Sequence, residues 1–143
     1  MSAVLANNKA EEIRQYLASV GVYATPQRQA IAEMLFSRHQ HLTADQVFEE
    51  VSKSARRVSR ATVYNTLNLF AQKGLVREIF VDASRTFYDS NTSSHYHLYN
   101  IDAGDLIDMD DQDVARYISR NMPEGMVLEG IDVVVRVRNS VSA

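Results

Sequence analysis

A chain of 143 residues with 45% hydrophobic content is long enough for one ordinary domain or two very small ones, and it can supply a packed core. The absence of cysteine excludes a disulfide framework and a thiolate metal site, so any bound metal must take nitrogen and oxygen ligands. No apolar run approaches the roughly 18 to 20 residues of a membrane span, and the opening MSAVLANNKAEE lacks a basic segment followed by an apolar one; the chain reads as soluble and unexported, with no membrane partner.

The net charge of -3 conceals an asymmetry. Residues 1–88 hold 11 Lys/Arg against 8 Asp/Glu, a balance of +3, whereas residues 89–143 hold 4 against 10, a balance of -6. A basic half beside an acidic half suggests one part facing polyanionic nucleic acid and another using carboxylates for a separate duty. Ordinary scatter in surface charge is the competing reading.

In chain order, Ile13, Tyr16, Leu17 and Val20 recur at helical spacing and Gly21 follows as a stop. Thr25 before Pro26 predicts a second helix, capped by the hydroxyl and opened by the residue best suited to its first turn, with Ile31, Met34 and Leu35 as its buried stripe. A third helix is predicted from Thr43, where Thr-Ala-Asp-Gln forms a capping box with Gln46 and Val47 and Val51 carry the apolar face. A fourth starts at Ser59, with Val63, Leu67 and Phe70 on one side and Ala61, Thr62, Asn65 and Asn68 pointing away, Tyr64 on the flank. Gly74 ends it, and LVREIFV and RTFYD then read as two strands of a hairpin joined by Asp-Ala-Ser. Helices followed by a hairpin make a winged-helix order.

The second half changes character. HYHLYN and DLIDM read as strands around Asp102-Ala103-Gly104. A short helix follows, with Asp110 as its cap and Val114 and Ile118 one turn apart. The chain closes on IDVVVRVR, where Ile131, Val133, Val135 and Val137 share one strand face. The expected divisions are residues 1–88, a hinge over 89–94, and residues 95–143.

The segment RRVSRATVYNTLNLF combines basic residues at its mouth (Arg56, Arg57, Arg60) with hydroxyl, amide and aromatic groups along the helix. These suit a major-groove helix: Arg can grip phosphate or guanine, Asn can bond base edges and Tyr can touch thymine methyls. An amphipathic surface helix with a solvated basic start would read similarly. His95-Tyr96-His97 on a strand puts both imidazoles on one face. Asp89 lies six residues upstream, Asp108 on the next strand, and His41 at the end of the second helix. Three imidazoles and two carboxylates make a mixed site suited to Fe²⁺ or Mn²⁺ and tolerant of Zn²⁺. A lone His-x-His is also what ordinary polar strand residues look like.

The run TPQRQAI, then HLTADQVFEEV, then SRATVYNTLNLFAQKGLV closely resembles the ferric uptake regulator (Fur) superfamily of bacterial repressors. The resemblance continues through FYDSNTSSHYH to the last strand and covers about residues 9–138. It implies an α+β chain: an N-terminal winged-helix DNA-binding domain followed by a small α/β dimerisation and metal-sensing domain. It also implies a cytoplasmic homodimer on a palindromic operator in double-stranded DNA, controlling iron homeostasis or oxidative-stress genes. By the family pattern Arg60, Thr62, Tyr64 and Asn65 would face DNA; with them the candidate set is Arg28, Arg56, Arg57, Ser59, Arg60, Thr62, Tyr64 and Asn65. Where relatives often place a basic residue two before the Thr25 position, aimed at the minor groove, this chain has Tyr23.

The same resemblance, clearest for the peroxide-sensing branch, implies a regulatory metal site at His41, Asp89, His95, His97 and Asp108. His39 has no counterpart among the ligands and reads as a solvent-facing loop residue. The structural zinc site of many relatives is missing, since Asn100 and Ala103 stand where they carry a CxxC pair; apolar strand burial is then expected to hold the domain. A further ligand set is removed by Tyr96 between the two histidines and by the histidine-free tail. Absence of cysteine and PEGM followed by IDVVVRVR look most like the iron-response regulator (Irr) branch of alphaproteobacteria. Members of that branch can bind haem, but the N-terminal Cys-Pro motif is lacking here and His-Tyr-His replaces three successive histidines. Two other classes compete with a regulator. One is a non-haem iron enzyme using His95, His97 and a carboxylate as a facial triad, which leaves the basic winged-helix half without a role; the other is a metal- or haem-buffering protein, which would show no salt-dependent operator binding.

Overall fold

The computed structural model describes residues 10–54, 57–93, 95–109 and 113–141, so the expectations placed on Arg56 and Asp110 lie outside the described residues. The chain divides between Thr92 and Ser93 into two compact units. No described helix is long and apolar enough to cross a membrane.

Among its described residues the first unit packs four helices, α1 (Ala10–Ser19), α2 (Pro26–Leu35), α3 (Ala44–Ser52) and α4 (Arg60–Gln72), with three short strands, β1 (His41–Thr43), β2 (Arg77–Asp82) and β3 (Arg85–Asp89). Local chemistry sets the helix starts. Thr25 Oγ1 accepts the Arg28 N–H at 3.2 Å with Pro26 in the first turn. At α3 both arms of the capping box form: Thr43 Oγ1 accepts the Gln46 N–H at 3.2 Å and Gln46 Oε1 accepts the Thr43 N–H at 2.9 Å. Gly74 (φ 74°) closes α4, with the Leu75 N–H reaching the Phe70 carbonyl at 2.9 Å; only a residue at ease with positive φ makes that reversal cheaply.

The helices bury Ile13, Leu17, Ile31, Leu35, Val47, Val63, Leu67 and Phe70 completely, each contributing about 1.5–3 kcal/mol of transfer free energy. Phe36 sits at the centre, edge-on to Tyr16 (5.6 Å between ring centroids) and stacked on Phe70 (6.0 Å). The hairpin β2–β3 is antiparallel, and β1 adds to the other edge of β3 to give the order β1-β3-β2. His41 is thus on a strand, not at the end of the second helix, which stops at Leu35. A three-residue strand carries too few alternations to be read from pattern; it forms because β3 offers an edge and the chain must return to start α3.

The described residues of the second unit form a three-stranded mixed sheet with one helix: β4 (Tyr96–Asn100), β5 (Asp105–Met109), α5 (Asp113–Arg120) and β6 (Val134–Val137). Its order is β5-β4-β6, with β4 and β5 antiparallel and β4 and β6 parallel. The expected closing strand contracts to four residues, because parallel pairing extends only over His97–Asn100 of β4; Ile131 and Val133 precede it and Val135 remains 39% exposed. Val114, Tyr117 and Ile118 of α5 are exposed as well.

Apolar burial is not all that closes this unit. Asn100 Oδ1 accepts the N–H groups of Asp102 (2.9 Å) and Ala103 (3.0 Å), and its amide donates to Asn139 Oδ1 at 2.7 Å. Asp102 Oδ2 accepts the Asn139 N–H at 2.9 Å, and Arg138 lies 3.4 Å from Asp102 Oδ1. The β4–β5 turn is therefore knotted to the chain that leaves β6.

Candidate functional site

The second unit brings two imidazoles onto one carboxylate. His97 on β4 and Asp108 on β5 are directly opposite in the antiparallel ladder, so their side chains leave the same face. His95 precedes β4 by one residue and keeps the alternation, its ring centroid 4.4 Å from that of His97. His95 Nε2 lies 3.3 Å and His97 Nε2 3.4 Å from the same Asp108 Oδ1. Both rings are buried, whereas the Asp108 side chain is 43% exposed.

His95 Nδ1 is 2.6 Å from the Ser93 carbonyl, which can only accept, so Nδ1 donates there and Nε2 is the ring atom facing Asp108. A lone pair facing a carboxylate oxygen is repulsive unless a proton or a cation lies between them. Two ligand atoms each about 2.1 Å from one ion, at tetrahedral to octahedral angles, stand about 3.0–3.4 Å apart. The observed separations fit that spacing, and the donor set is nitrogen and oxygen throughout. His95, His97 and Asp108 also fall within a group whose ligand atoms lie within 4.8 Å of one another.

The remaining metal candidates, Asp89 and His41, belong to the first unit. They are cross-strand partners at the β1–β3 register, and the buried Asp89 accepts the Asn91 N–H at 2.9 Å. The His41 ring lies edge-on to Phe87 at 6.2 Å. Ser90, fully buried, fixes the loop that delivers His41: its hydroxyl donates to the Arg38 carbonyl (2.9 Å) and accepts the Gln40 N–H (3.0 Å), while its own N–H reaches the Gln40 carbonyl (2.9 Å).

On α4, Arg60, Tyr64 and Asn65 are exposed and Thr62 is half-buried, as the helical wheel predicts. Ser59 is the N-cap: its hydroxyl accepts the Thr62 N–H (3.1 Å) and contacts Thr62 Oγ1 (2.9 Å). Arg57 is exposed just ahead of it. Arg28 on α2 is half-buried and donates to the Tyr23 carbonyl at 3.0 Å, which ties down the α1–α2 loop. Tyr64 shares a cleft with Thr43, Asp45, Ser84, Arg85 and Tyr88, so α4, the start of α3 and the hairpin tip open onto one space. Burial, then the charges of Glu78 and Tyr64, push the Tyr88 hydroxyl above its ordinary value of 10.0.

Sequence reasoning missed Asp45 and Phe48. Arg60 Nη1 is 2.7 Å from Asp45 Oδ1, and the guanidinium lies over the Phe48 ring at 4.4 Å. Neither residue carries a local signal, since Asp45 reads as a first-turn helix acid and Phe48 as part of an apolar stripe; the pairing exists only once α3 packs on α4. Ser90 was missed for the same reason.

The profile of the ferric uptake regulator family matches residues 19–136. A peroxide-responsive repressor of Staphylococcus epidermidis is 39% identical over 110 residues, covering 76% of this chain and 73% of that protein. Its Staphylococcus aureus counterpart is 40% identical over 98 residues, covering 68% of this chain and 66% of that protein. Among solved structures, the ferric uptake regulator of Pseudomonas aeruginosa with manganese superposes with a TM-score of 0.76 at 26% identity, covering 90% of this chain and 98% of that one. A Campylobacter jejuni peroxide stress regulator gives 0.65 at 26%, covering 93% and 97%. With the profile spanning most of the chain and 39% and 40% identity to the staphylococcal repressors over the aligned residues, this chain belongs to the ferric uptake regulator family.

Proposed function

We propose that the chain is a metal-responsive, DNA-binding transcriptional repressor, a regulator and not an enzyme, acting in iron or peroxide stress. The observation that carries this reading is the convergence of His95 and His97 on Asp108 in a chain whose other unit is a winged helix. Fe²⁺ or Mn²⁺ is the physiological ion, because a nitrogen and oxygen set without thiolate suits them; Zn²⁺ would bind in vitro. The manganese named with the Pseudomonas aeruginosa relative and the peroxide response named for the staphylococcal ones support that choice. Asp89, six residues before His95, and its cross-strand partner His41 complete the ligand set. His41 then carries occupancy to the DNA-reading unit, since a ligand that ties mobile parts together favours one pose.

Double-stranded DNA is read by α4, and the residues that contact it are Arg28, Arg56, Arg57, Ser59, Arg60, Thr62, Tyr64 and Asn65. The working form is a homodimer. A second unit of about 50 residues leaves Val114, Tyr117 and Ile118 of α5 exposed, and a second copy is the partner that covers them. Haem ranks behind a bare ion: the two buried rings lean on each other over one carboxylate, a grip for a single ion and not for a macrocycle.

Operator binding by metal-free, Mn²⁺-loaded, Fe²⁺-loaded and haem-treated protein at two salt concentrations tests the whole. The expected result is a metal-dependent affinity that falls steeply with salt. In His41→Ala, metal binding persists, weakened, while DNA affinity no longer responds to it. Equal affinity in all four states would remove the regulatory reading.

A further inference from the structure

We propose that Arg60 is a base-reading arginine, oriented by Asp45 and Phe48, and that the base it reads is guanine. This rests on the proposed entry of α4 into the major groove and adds which base is selected and by which residues.

Arg60 is the first residue of α4 after the Ser59 cap, and a recognition helix presents its N-terminal residues to base edges. An arginine that only neutralises phosphate needs no fixed orientation. One that donates a pair of hydrogen bonds to guanine O6 and N7 must hold its guanidinium in the plane of the base pair. Two contacts orient Arg60. The Phe48 ring, 4.4 Å from Cζ, constrains the guanidinium plane. The 2.7 Å contact from Nη1 to Asp45 Oδ1 sets the rotation within that plane. Because Asp45 engages Nη1, the Nε–Nη2 edge, with its two parallel N–H bonds, is the fork for O6 and N7. The side chain is still 59% exposed, so the fork can reach a ligand.

Fold stability does not account for the pair. An ion pair this exposed contributes little, and a carboxylate beside the reading helix repels DNA phosphates. Asp45 stands in the first turn of α3, between the two residues of the Thr43–Gln46 capping box. An anion and an aromatic face beside an arginine at a helix mouth bias its orientation, and a pair of hydrogen bonds to one base edge depends on that orientation.

The test uses the full chain loaded with Mn²⁺. Wild type is used to select from a randomised duplex library. The selected duplex, copies with each G·C pair replaced by A·T, and an unrelated duplex are then titrated with wild type, Arg60→Ala, Arg60→Lys and Asp45→Asn over a salt series. Wild type is expected to show one G·C pair whose replacement weakens binding roughly 5- to 150-fold. In Arg60→Lys and Asp45→Asn that penalty should fall below about threefold, while Asp45→Asn binds the unrelated duplex as well as wild type or better, having lost a negative charge. A merely structural role would weaken both duplexes together and leave the penalty intact, which overturns the assignment. So would a penalty that survives in Asp45→Asn while Arg60→Ala lowers the salt slope by about one, the mark of a phosphate contact. Wild type that enriches no sequence would overturn the DNA-reading function itself, and this assignment with it.

Discussion

His97 and Asp108 face each other across the β4–β5 ladder, and the Nε2 of His97 stands 3.4 Å from the Asp108 carboxylate oxygen that also meets His95. Strand register sets His97 against Asp108, while His95, one residue before β4 and bonded to the Ser93 carbonyl, reaches the same oxygen. Removing His97 should abolish Mn²⁺ binding. Asp108→Asn, which keeps the shape and loses the charge, should weaken it about 10- to 100-fold. His39→Ala should bind as wild type does. Calorimetric titration of the three variants checks this, and Mn²⁺ binding unchanged in His97→Ala would remove the site.

The Asn100 knot predicts a stability effect independent of metal. Asn100→Ala removes three hydrogen bonds, two closing the β4–β5 turn and one reaching Asn139. At about 0.5–1.5 kcal/mol for a typical bond, with the lower figure apt for exposed groups, a loss of about 1–2 kcal/mol is expected. Urea unfolding of metal-free wild type and variant measures it. A wild type that does not fold without zinc would contradict the idea that hydrogen bonds and strand packing suffice here.

What could be read from the sequence was what is local. The caps at Thr25, Thr43 and Ser59 and the stop at Gly74 involve partners within a few residues, so the helices fell where expected. The shared face of His95 and His97 needed only the alternation of a strand. Features that depend on pairing were out of reach. β1 exists because β3 has an edge; β6 is short because its parallel partner is short; and His41 moved from a helix end to a strand accordingly. The grip of Asp45 on Arg60 joins residues fifteen apart on two helices and leaves no periodic trace.

Tyr88 predicts an alkaline weakness in the first unit. Its hydroxyl is raised by burial first, then by Glu78 opposite it on β2 and by Tyr64. The native state thus holds this proton more tightly than the unfolded chain does. The contribution is complete below about pH 10, the unfolded value, and is lost as pH rises through the higher folded one. Tyr88→Phe should lose less thermal stability than wild type between neutral pH and about pH 11. Melting curves recorded across that range decide it, and parallel losses in the two proteins would count against the assignment.

Ser90 predicts a coupled effect on stability and response. With no exposure, its hydroxyl bridges the Arg38 carbonyl and the Gln40 N–H, and Gln40 in turn donates to the Met34 and Leu35 carbonyls at the end of α2. Ser90→Ala keeps the packing but strips both partners, leaving the Gln40 N–H without its acceptor. Leaving a buried polar group unpaired costs about 1–3 kcal/mol, so the melting temperature should fall. His41 follows Gln40 directly, so the loosened loop should also place its imidazole less well. Under the proposed ligand set, the variant then binds Mn²⁺ with DNA affinity responding less than in wild type, at temperatures where it remains folded. Measuring the melt and the metal-dependent change in operator affinity on the same preparation separates the two consequences. A destabilised variant with a full response would show that the loop supports the fold without positioning His41.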